Sequence, residues 1–413
     1  MTLAVSFVSI HGDPLAPLGG SHHGGQNVYV KELSRHLGGY GLKVDVYSRR
    51  ENDQQPSLEP YSRGTRVIRV PIGPPQAIPK EQIISLLKEI ALWIPSYQQE
   101  HDLRYDLIHS HYYLSGAAAV HLKHAWSIPL VHTFHSLGAV KGAALGEKDR
   151  SPDARHQIEK RICQEADRII ATCPQEESDL VEYYGADPDQ ISIVPCGVNL
   201  RLFQALPQLE SKKAIAFDPD DFLITFVGRL EERKGVKTLL EAISIIDHPR
   251  IQAVIVGGPP SGKPFLSWSE LEKEPFRVYA QQIDQLGIAT QVTFTGGKPQ
   301  DQLSKYYSAA DVTVIPSYYE PFGMTAIEAM ACGSSVIASR VGGLKSSVVE
   351  NQVGALFEPQ NAEDLAQKIK ALFDQPALNA EMKKNARPYV EGKFSWKAVS
   401  RAVADVYLEV LKR

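Results

Sequence analysis

What this chain lacks narrows its identity before any motif is read. No apolar run approaches the ~20 residues that a membrane-crossing helix needs. Four cysteines, Cys163, Cys173, Cys196 and Cys332, stand among 413 residues with no C-x-x-C pair. That is no disulfide scaffold, and four reduced thiols in a cytoplasmic protein are expected. An excess of positive charge is also missing. A net charge of −4 gives no general attraction to nucleic acid or to an anionic membrane surface, so basic residues should act locally. There is no low-complexity segment and no repeat of solenoid period. The start, Met1-Thr2-Leu3-Ala4-Val5-Ser6-Phe7-Val8-Ser9-Ile10, has no basic leader and reads as a first strand, not as a signal peptide.

The dinucleotide fingerprint G-x-G-x-x-G is absent as well. The loop after the first strand reads Gly19-Gly20-Ser21-His22-His23-Gly24-Gly25-Gln26-Asn27, and the second strand ends on Ser48-Arg49 with Asp45 inside it. A nicotinamide-dependent oxidoreductase needs that fingerprint and an acid at the second strand's end. Asp187-Pro188-Asp189 and Asp218-Pro219-Asp220 imitate a metal-binding D-x-D, but proline between two aspartates favours a turn.

What is present is alternation. Hydrophobic residues make up 43% of the chain and charged residues 22%, a globular profile too long for one ordinary core. Short apolar runs predict strands over 3–10, 43–48, 66–71, 107–110, 130–133, 169–172 and 191–194, then over 223–227, 253–256, 292–295, 312–315, 336–338 and 355–357. Helical patterns lie between most of them, including 27–37, 81–93, 154–166, 235–246, 277–286, 301–308, 325–332, 362–373 and 378–389. Such alternation means parallel sheets covered on both faces, here in two doubly wound α/β domains. The expected division is 1–197, then 198–393, then an amphipathic helix over 394–413.

Ligands of open parallel sheets bind beyond the strands' carboxyl ends, and the unusual residues cluster there. The richest stretch is Pro316-Ser317-Tyr318-Tyr319-Glu320-Pro321-Phe322-Gly323-Met324-Thr325-Ala326-Ile327-Glu328. It places N–H groups at a helix start, suited to phosphate, between two carboxylates suited to hydroxyls. Side chains lean toward a helix's N-terminus, so Glu328 can reach back to the same site. Gly228-Arg229-Leu230-Glu231-Glu232-Arg233-Lys234-Gly235 follows the second half's first strand, where Arg229 and Lys234 can clamp a diphosphate. Glu231, Glu232 and Arg233 read as surface charge. His109-Ser110-His111-Tyr112 and His132-Thr133-Phe134-His135-Ser136-Leu137-Gly138 end adjacent strands. Several histidines at such ends suggest a polar cleft more than a metal site, because no carboxylate or cysteine stands with them at ligand spacing. Lys80, Lys141 and Arg155, taken singly, read as solvated surface charge.

With these residues in view, the chain resembles a retaining glycosyltransferase of the GT-B fold, and within that class the bacterial sucrose-phosphate synthases. Gly24-Gly25-Gln26, Thr133 through Gly138, Gly228-Arg229-Leu230 with Lys234-Gly235, and Glu320 through Glu328 stand in the family's order along nearly the whole chain. The transferases that join GlcNAc to inositol phosphate are also similar, in His109 through Gly116 and Asp187 through Ser192. Gln26 and His135-Ser136-Leu137-Gly138 favour the sucrose-phosphate reading.

The resemblance implies two Rossmann-like domains facing across a cleft, with the last helix crossing back to the first. It implies transfer of glucose from UDP-glucose to fructose 6-phosphate, with no cofactor and no metal needed for chemistry. It also implies roles. Arg229, Lys234, Glu320 and His135 would serve the reacting centre. Gly25, Arg229, Lys234, Glu320, Phe322, Gly323, Met324, Thr325 and Glu328 would bind the donor, Glu328 through the ribose. Gln26, Lys80, Tyr112, Ser136, Lys141 and Arg155 would bind the acceptor. The phosphatase-like extension of larger members is absent, so that step would fall to a separate sucrose-phosphate phosphatase. Transfer to free fructose and a non-catalytic sugar-nucleotide-binding protein are the rival readings.

Overall fold

Valine, isoleucine and leucine fill the short strands of this chain because those strands are buried on both faces. The computed structural model describes residues 2–16, 24–146 and 154–412. The chain divides into two units. One runs to Cys196 and takes in the chain from Trp396 onward; the other is Gly197–Ser395.

The first unit carries β1 (Ala4–Val8), β2 (Lys43–Arg49), β3 (Leu58–Ser62), β4 (Thr65–Val70), β5 (Leu107–His111), β6 (Leu130–Thr133), β7 (Arg168–Ala171) and β8 (Ile191–Ile193), in the order β3-β4-β2-β1-β5-β6-β7-β8. All neighbours pair in parallel except β3 with β4. That antiparallel edge strand departs from the all-parallel expectation. Its sequence, Leu-Glu-Pro-Tyr-Ser, is partly exposed, and the proline that hides it from a periodicity search is tolerated on an edge.

The second unit carries β9 (Phe222–Val227), β10 (Ile251–Val256), β11 (Val292–Phe294), β12 (Val312–Ile315), β13 (Val336–Ser339) and β14 (Gly354–Phe357), in the order β11-β10-β9-β12-β13-β14, all parallel. Helices such as Val236–Ile246 and Ala362–Asp374 bury Leu239, Leu240, Ile243, Leu365 and Ile369 against this sheet.

The strand orders locate the sites. In the first unit the chain leaves β1 toward β2 and later returns to its other side as β5. In the second it leaves β9 toward β10 and returns as β12. These reversals open a crevice beyond the carboxyl ends of β1 and β5, and another beyond β9 and β12. The final helix, Trp396–Leu411, belongs to the first unit. There Trp396 packs edge-on against Tyr29, 5.5 Å between centroids, and the Tyr407 hydroxyl lies 2.6 Å from His109 Nδ1.

Candidate active site

Gly235 builds the second unit's half-site. It sits between the short turn Glu232–Lys234 and the helix Val236–Ile246 with φ +69°. A Cβ there would fall 1.8 Å from the Pro316 carbonyl oxygen. Only glycine lets the turn after β9 lie against the turn after β12, and that contact sets Lys234 beside Glu320. Lys234 Nζ donates to Glu320 Oε2, the Ser317 hydroxyl donates to the same oxygen at 3.3 Å, and both Lys234 and Glu320 side chains are largely buried. Burial pushes the Glu320 carboxyl upward. The charges of Lys234 and Arg233 and the two hydrogen bonds outweigh that push and hold it below the usual carboxylate range.

Gly323 caps the helix Met324–Ala331 at φ +93°, with no side-chain hydrogen bond capping the helix end. The N–H groups of the first turn, Met324 and Thr325 among them, therefore start beside Glu320 and Phe322. One turn on, Glu328 is buried and accepts from the Tyr307 hydroxyl at 3.0 Å. Desolvation dominates there. Hydrogen bonds from Tyr307 and Gln300 and the charge of Lys234 pull the other way, and the carboxyl is pushed up to about 7. The two carboxylates flanking this helix start therefore differ in kind: Glu320 is held ionised and Glu328 titrates near neutrality.

Arg229 is brought to the same strand end, near enough for the charge of Glu320 to act on it. Its Nη1 pairs with Glu231 at 2.5 Å with the guanidinium half exposed. Glu231 also holds Arg233 at 2.8 Å, and Arg233 is only 17% exposed. Glu231 and Arg233 are thus not the plain surface charges expected: Arg233 is largely buried, and its charge acts on Glu320. The two Asp-Pro-Asp segments are turns, with Asp189 N–H on Asp187 and Asp220 N–H on Asp218.

In the first unit, Gly19 through His23 lie outside the described residues. The helix Gly25–Gly39 begins two residues earlier than expected, so Gly25 and Gln26 stand in its first turn. Buried Asn27 closes that turn: its side-chain oxygen accepts from Gly24 N–H and its amide donates to the Asp13 carbonyl. Gln26 Nε2 points to Ser9 Oγ at 3.3 Å and the His111 carbonyl at 3.4 Å.

Three of the expected acceptor residues come together. Lys80 Nζ lies 5.0 Å from the Tyr112 ring centre and Arg155 Cζ 5.1 Å from the same ring. Arg155 is not solvated surface charge. It is buried, pairs with fully buried Glu159 at 2.7 Å and donates to the Ser136 carbonyl at 2.7 Å. Glu159 also accepts from Gly138 N–H and the Tyr184 hydroxyl. Lys141 lies one turn into the next helix, Gly138–Leu145, partly exposed.

The histidines of β5 and β6, with His135 two residues beyond β6, interlock. His132 Nδ1 meets Ser110 Oγ at 2.7 Å, His109 meets Thr133 and Tyr407, and His111 Nδ1 lies 3.1 Å from His135 Nε2. Burial lowers the pKa of all four rings, so they are neutral at physiological pH. Tyr112 and His135 hold φ of +73° and +62°, a conformation that non-glycine residues adopt mainly where surrounding structure forces it, often at functional sites. Among the described residues, no group of three or more His, Cys, Asp or Glu could hold a metal ion. Tyr307 and Glu159 escaped sequence reasoning as site residues: neither carries a motif of its own, and Tyr307 acts on Glu328 from far away in sequence.

Two Rossmann-like units with parallel sheets, each with polar groups massed at its switch point, define the GT-B class of glycosyltransferases. Residues 207–389 match the family described as glycosyl transferases group 1, and residues 23–202 match glycosyltransferase family 4. The D-inositol 3-phosphate glycosyltransferase of Corynebacterium diphtheriae is 35% identical, over 98% of this chain and 95% of that protein. A second protein of that name, from Catenulispora acidiphila, is 37% identical over 98% and 94%. The solved sucrose-phosphate synthase of Thermosynechococcus elongatus superposes with a TM-score of 0.89 at 35% identity, covering 99% of each chain. The chain belongs to the glycosyl transferases group 1 family and is a glycosyltransferase. None of its described helices is long and apolar enough to cross a membrane.

Proposed function

We propose that this enzyme moves glucose from UDP-glucose to the 2-hydroxyl of fructose 6-phosphate with retention, giving sucrose 6-phosphate and UDP. The observation that carries the reading is Tyr112 bracketed by Lys80 and Arg155, next in sequence to His111, which is hydrogen-bonded to His135. A cationic pocket for an acceptor phosphate then adjoins the histidine expected at the transferred sugar. The likeness to a sucrose-phosphate synthase over 99% of both chains supports it.

The barrier lies in breaking the anomeric C–O bond while charge gathers on the departing diphosphate. Lys234 and the N–H groups at Met324 and Thr325 are preorganised for that charge. Arg229 would exchange Glu231 for the diphosphate, a small loss because a half-exposed pair contributes little. Glu328 accepts the ribose hydroxyls, and Glu320 holds the sugar. The leaving phosphate oxygen takes the acceptor's proton on the same face, which retains configuration. Double displacement through Glu320 is the rival, and a trapped glucosyl-Glu320 would establish it. Hydrolysis of the product would fall to a separate sucrose-phosphate phosphatase.

The names of the relatives favour a second reading, transfer to an inositol 3-phosphate, for which the sequence resemblance implies GlcNAc from UDP-GlcNAc as the donor. Both acceptors are phosphorylated polyols and suit the same cationic pocket. UDP release is to be measured for UDP-glucose, UDP-GlcNAc, ADP-glucose and GDP-glucose, each crossed with fructose 6-phosphate, fructose and inositol 3-phosphate. The first reading requires UDP-glucose with fructose 6-phosphate to be the fastest pair. Turnover with inositol phosphate alone would replace it with the second, and rapid use of free fructose would sink the phosphate pocket.

A further inference from the structure

We infer that His111 is a positioning residue that fixes His135 as the tautomer protonated on Nδ1, making His135 a hydrogen-bond donor toward the transferred sugar. The sugar-facing half rests on the role proposed for His135. The tautomer rests on the geometry of the two rings and on their burial.

His111 ends β5 and is fully buried. Its Nδ1 lies 3.1 Å from His135 Nε2, while its own Nε2 is buried with no partner. One proton occupies the space between the two facing nitrogens. If His135 supplied it, neutral His111 would carry its proton on Nε2, a buried N–H with nothing to accept it. Such orphaned donors are rare in folded chains, and under-satisfied acceptors are better tolerated. If His111 Nδ1–H supplies it, only a lone pair on Nε2 goes unused. His135 Nε2 then accepts, and the His135 proton must sit on Nδ1. Desolvation keeps both rings neutral, so neither carries two protons.

The rings are held in place. Phe7 lies 5.0 Å from His111, and Tyr29 meets His135 edge-on at 4.9 Å. Among the described residues, His135 Nδ1 has no hydrogen-bond partner, and it is not one of the buried orphaned atoms. The left-handed backbone at His135 turns the side chain back to His111 from two residues beyond β6. A donor fixed before substrate arrives needs no reorganisation during the reaction.

The test uses the full chain labelled with ¹⁵N-histidine, with His135 assigned by difference from His135→Gln. The ring nitrogen shifts report which atom bears the proton. Protonation of His135 on Nδ1 is expected, and protonation on Nε2 overturns the inference whatever the activity. In parallel, His111→Leu removes the donor, and His111→Asn places an amide N–H where Nδ1 stood. His111→Leu should lower kcat about tenfold with the UDP affinity unchanged, and His111→Asn should stay within about threefold of the parent. Equal losses in both variants at unchanged UDP affinity refute the donor role of His111. If His135→Gln turns over at the parent rate, the sugar-facing role of His135 fails, and the spectrum still decides the tautomer.

Discussion

Removing one hydroxyl, in Tyr307→Phe, should shift the pH at which this enzyme grips its nucleotide. Glu328 is buried, its carboxyl is pushed up to about 7, and the Tyr307 hydroxyl 3.0 Å away is the first of the groups pulling it down. In the proposed role the ionised carboxylate would accept ribose hydroxyls, and the neutral acid would surrender part of that capacity. Nucleotide affinity should therefore fall as pH drops through 7 and level off at the weaker affinity of the protonated form.

A hydrogen bond to a charged group contributes roughly 1.5–3 kcal/mol, and one pKa unit corresponds to about 1.4 kcal/mol. Tyr307→Phe should thus move the inflection upward by about one to two units, weakening UDP binding most near neutral pH. Gln300 and Lys234, the other groups acting on Glu328, remain in the variant. Titration calorimetry with UDP between about pH 6 and pH 9 reads the shift directly. Glu328→Gln serves as the reference, with weaker and pH-flat binding. A flat profile in the parent, or an unmoved inflection in Tyr307→Phe, refutes the assignment of Glu328 to the ribose. The stability linkage has a fixed sign as well. A carboxyl raised from 4.5 to about 7 on folding stabilises the fold fully below about pH 4.5, and that contribution of ~3 kcal/mol is lost as pH rises through 7.

Gly235→Ala drives a Cβ into the Pro316 carbonyl at positive φ and should cost at least about 2 kcal/mol in urea unfolding, with loss of UDP binding. Lys234→Ala should lower kcat by about a hundredfold or more in steady-state UDP release, because a preorganised donor to the leaving group is removed. Lys80→Ala should raise KM for the phosphorylated acceptor about tenfold and leave donor KM alone. An unchanged acceptor KM would remove Lys80 from the pocket. Lys80 is the cleaner probe, because Arg155→Ala also strands buried Glu159, which by itself typically costs about 3–5 kcal/mol.

Much of the second unit's candidate site was legible in the sequence. Glycine at 235, the cation before it and the carboxylates at 320 and 328 are local facts: a turn that admits no Cβ and a helix start between two acids can be read from residue order alone. The alternation of apolar runs with helical patterns determined the two parallel sheets for the same reason, since period-2 and period-3.6 burial are written locally. The edge strand β3 was lost to its proline and its exposure. Which residues face one another across the turns was decided only by the tertiary structure. Nothing near Arg155 in sequence announces that it lies over Tyr112, although its partner Glu159 stands only one helical turn away. Nothing near Glu328 reveals Tyr307, and the His111–His135 contact joins two strands that pair only once the sheet has formed. Protonation follows the same division. Residue order supplies the titratable groups, but desolvation and partners brought from elsewhere in the chain set Glu320 below its ordinary range and Glu328 near neutrality, because the electrostatic cost of a charge depends on what surrounds it in space.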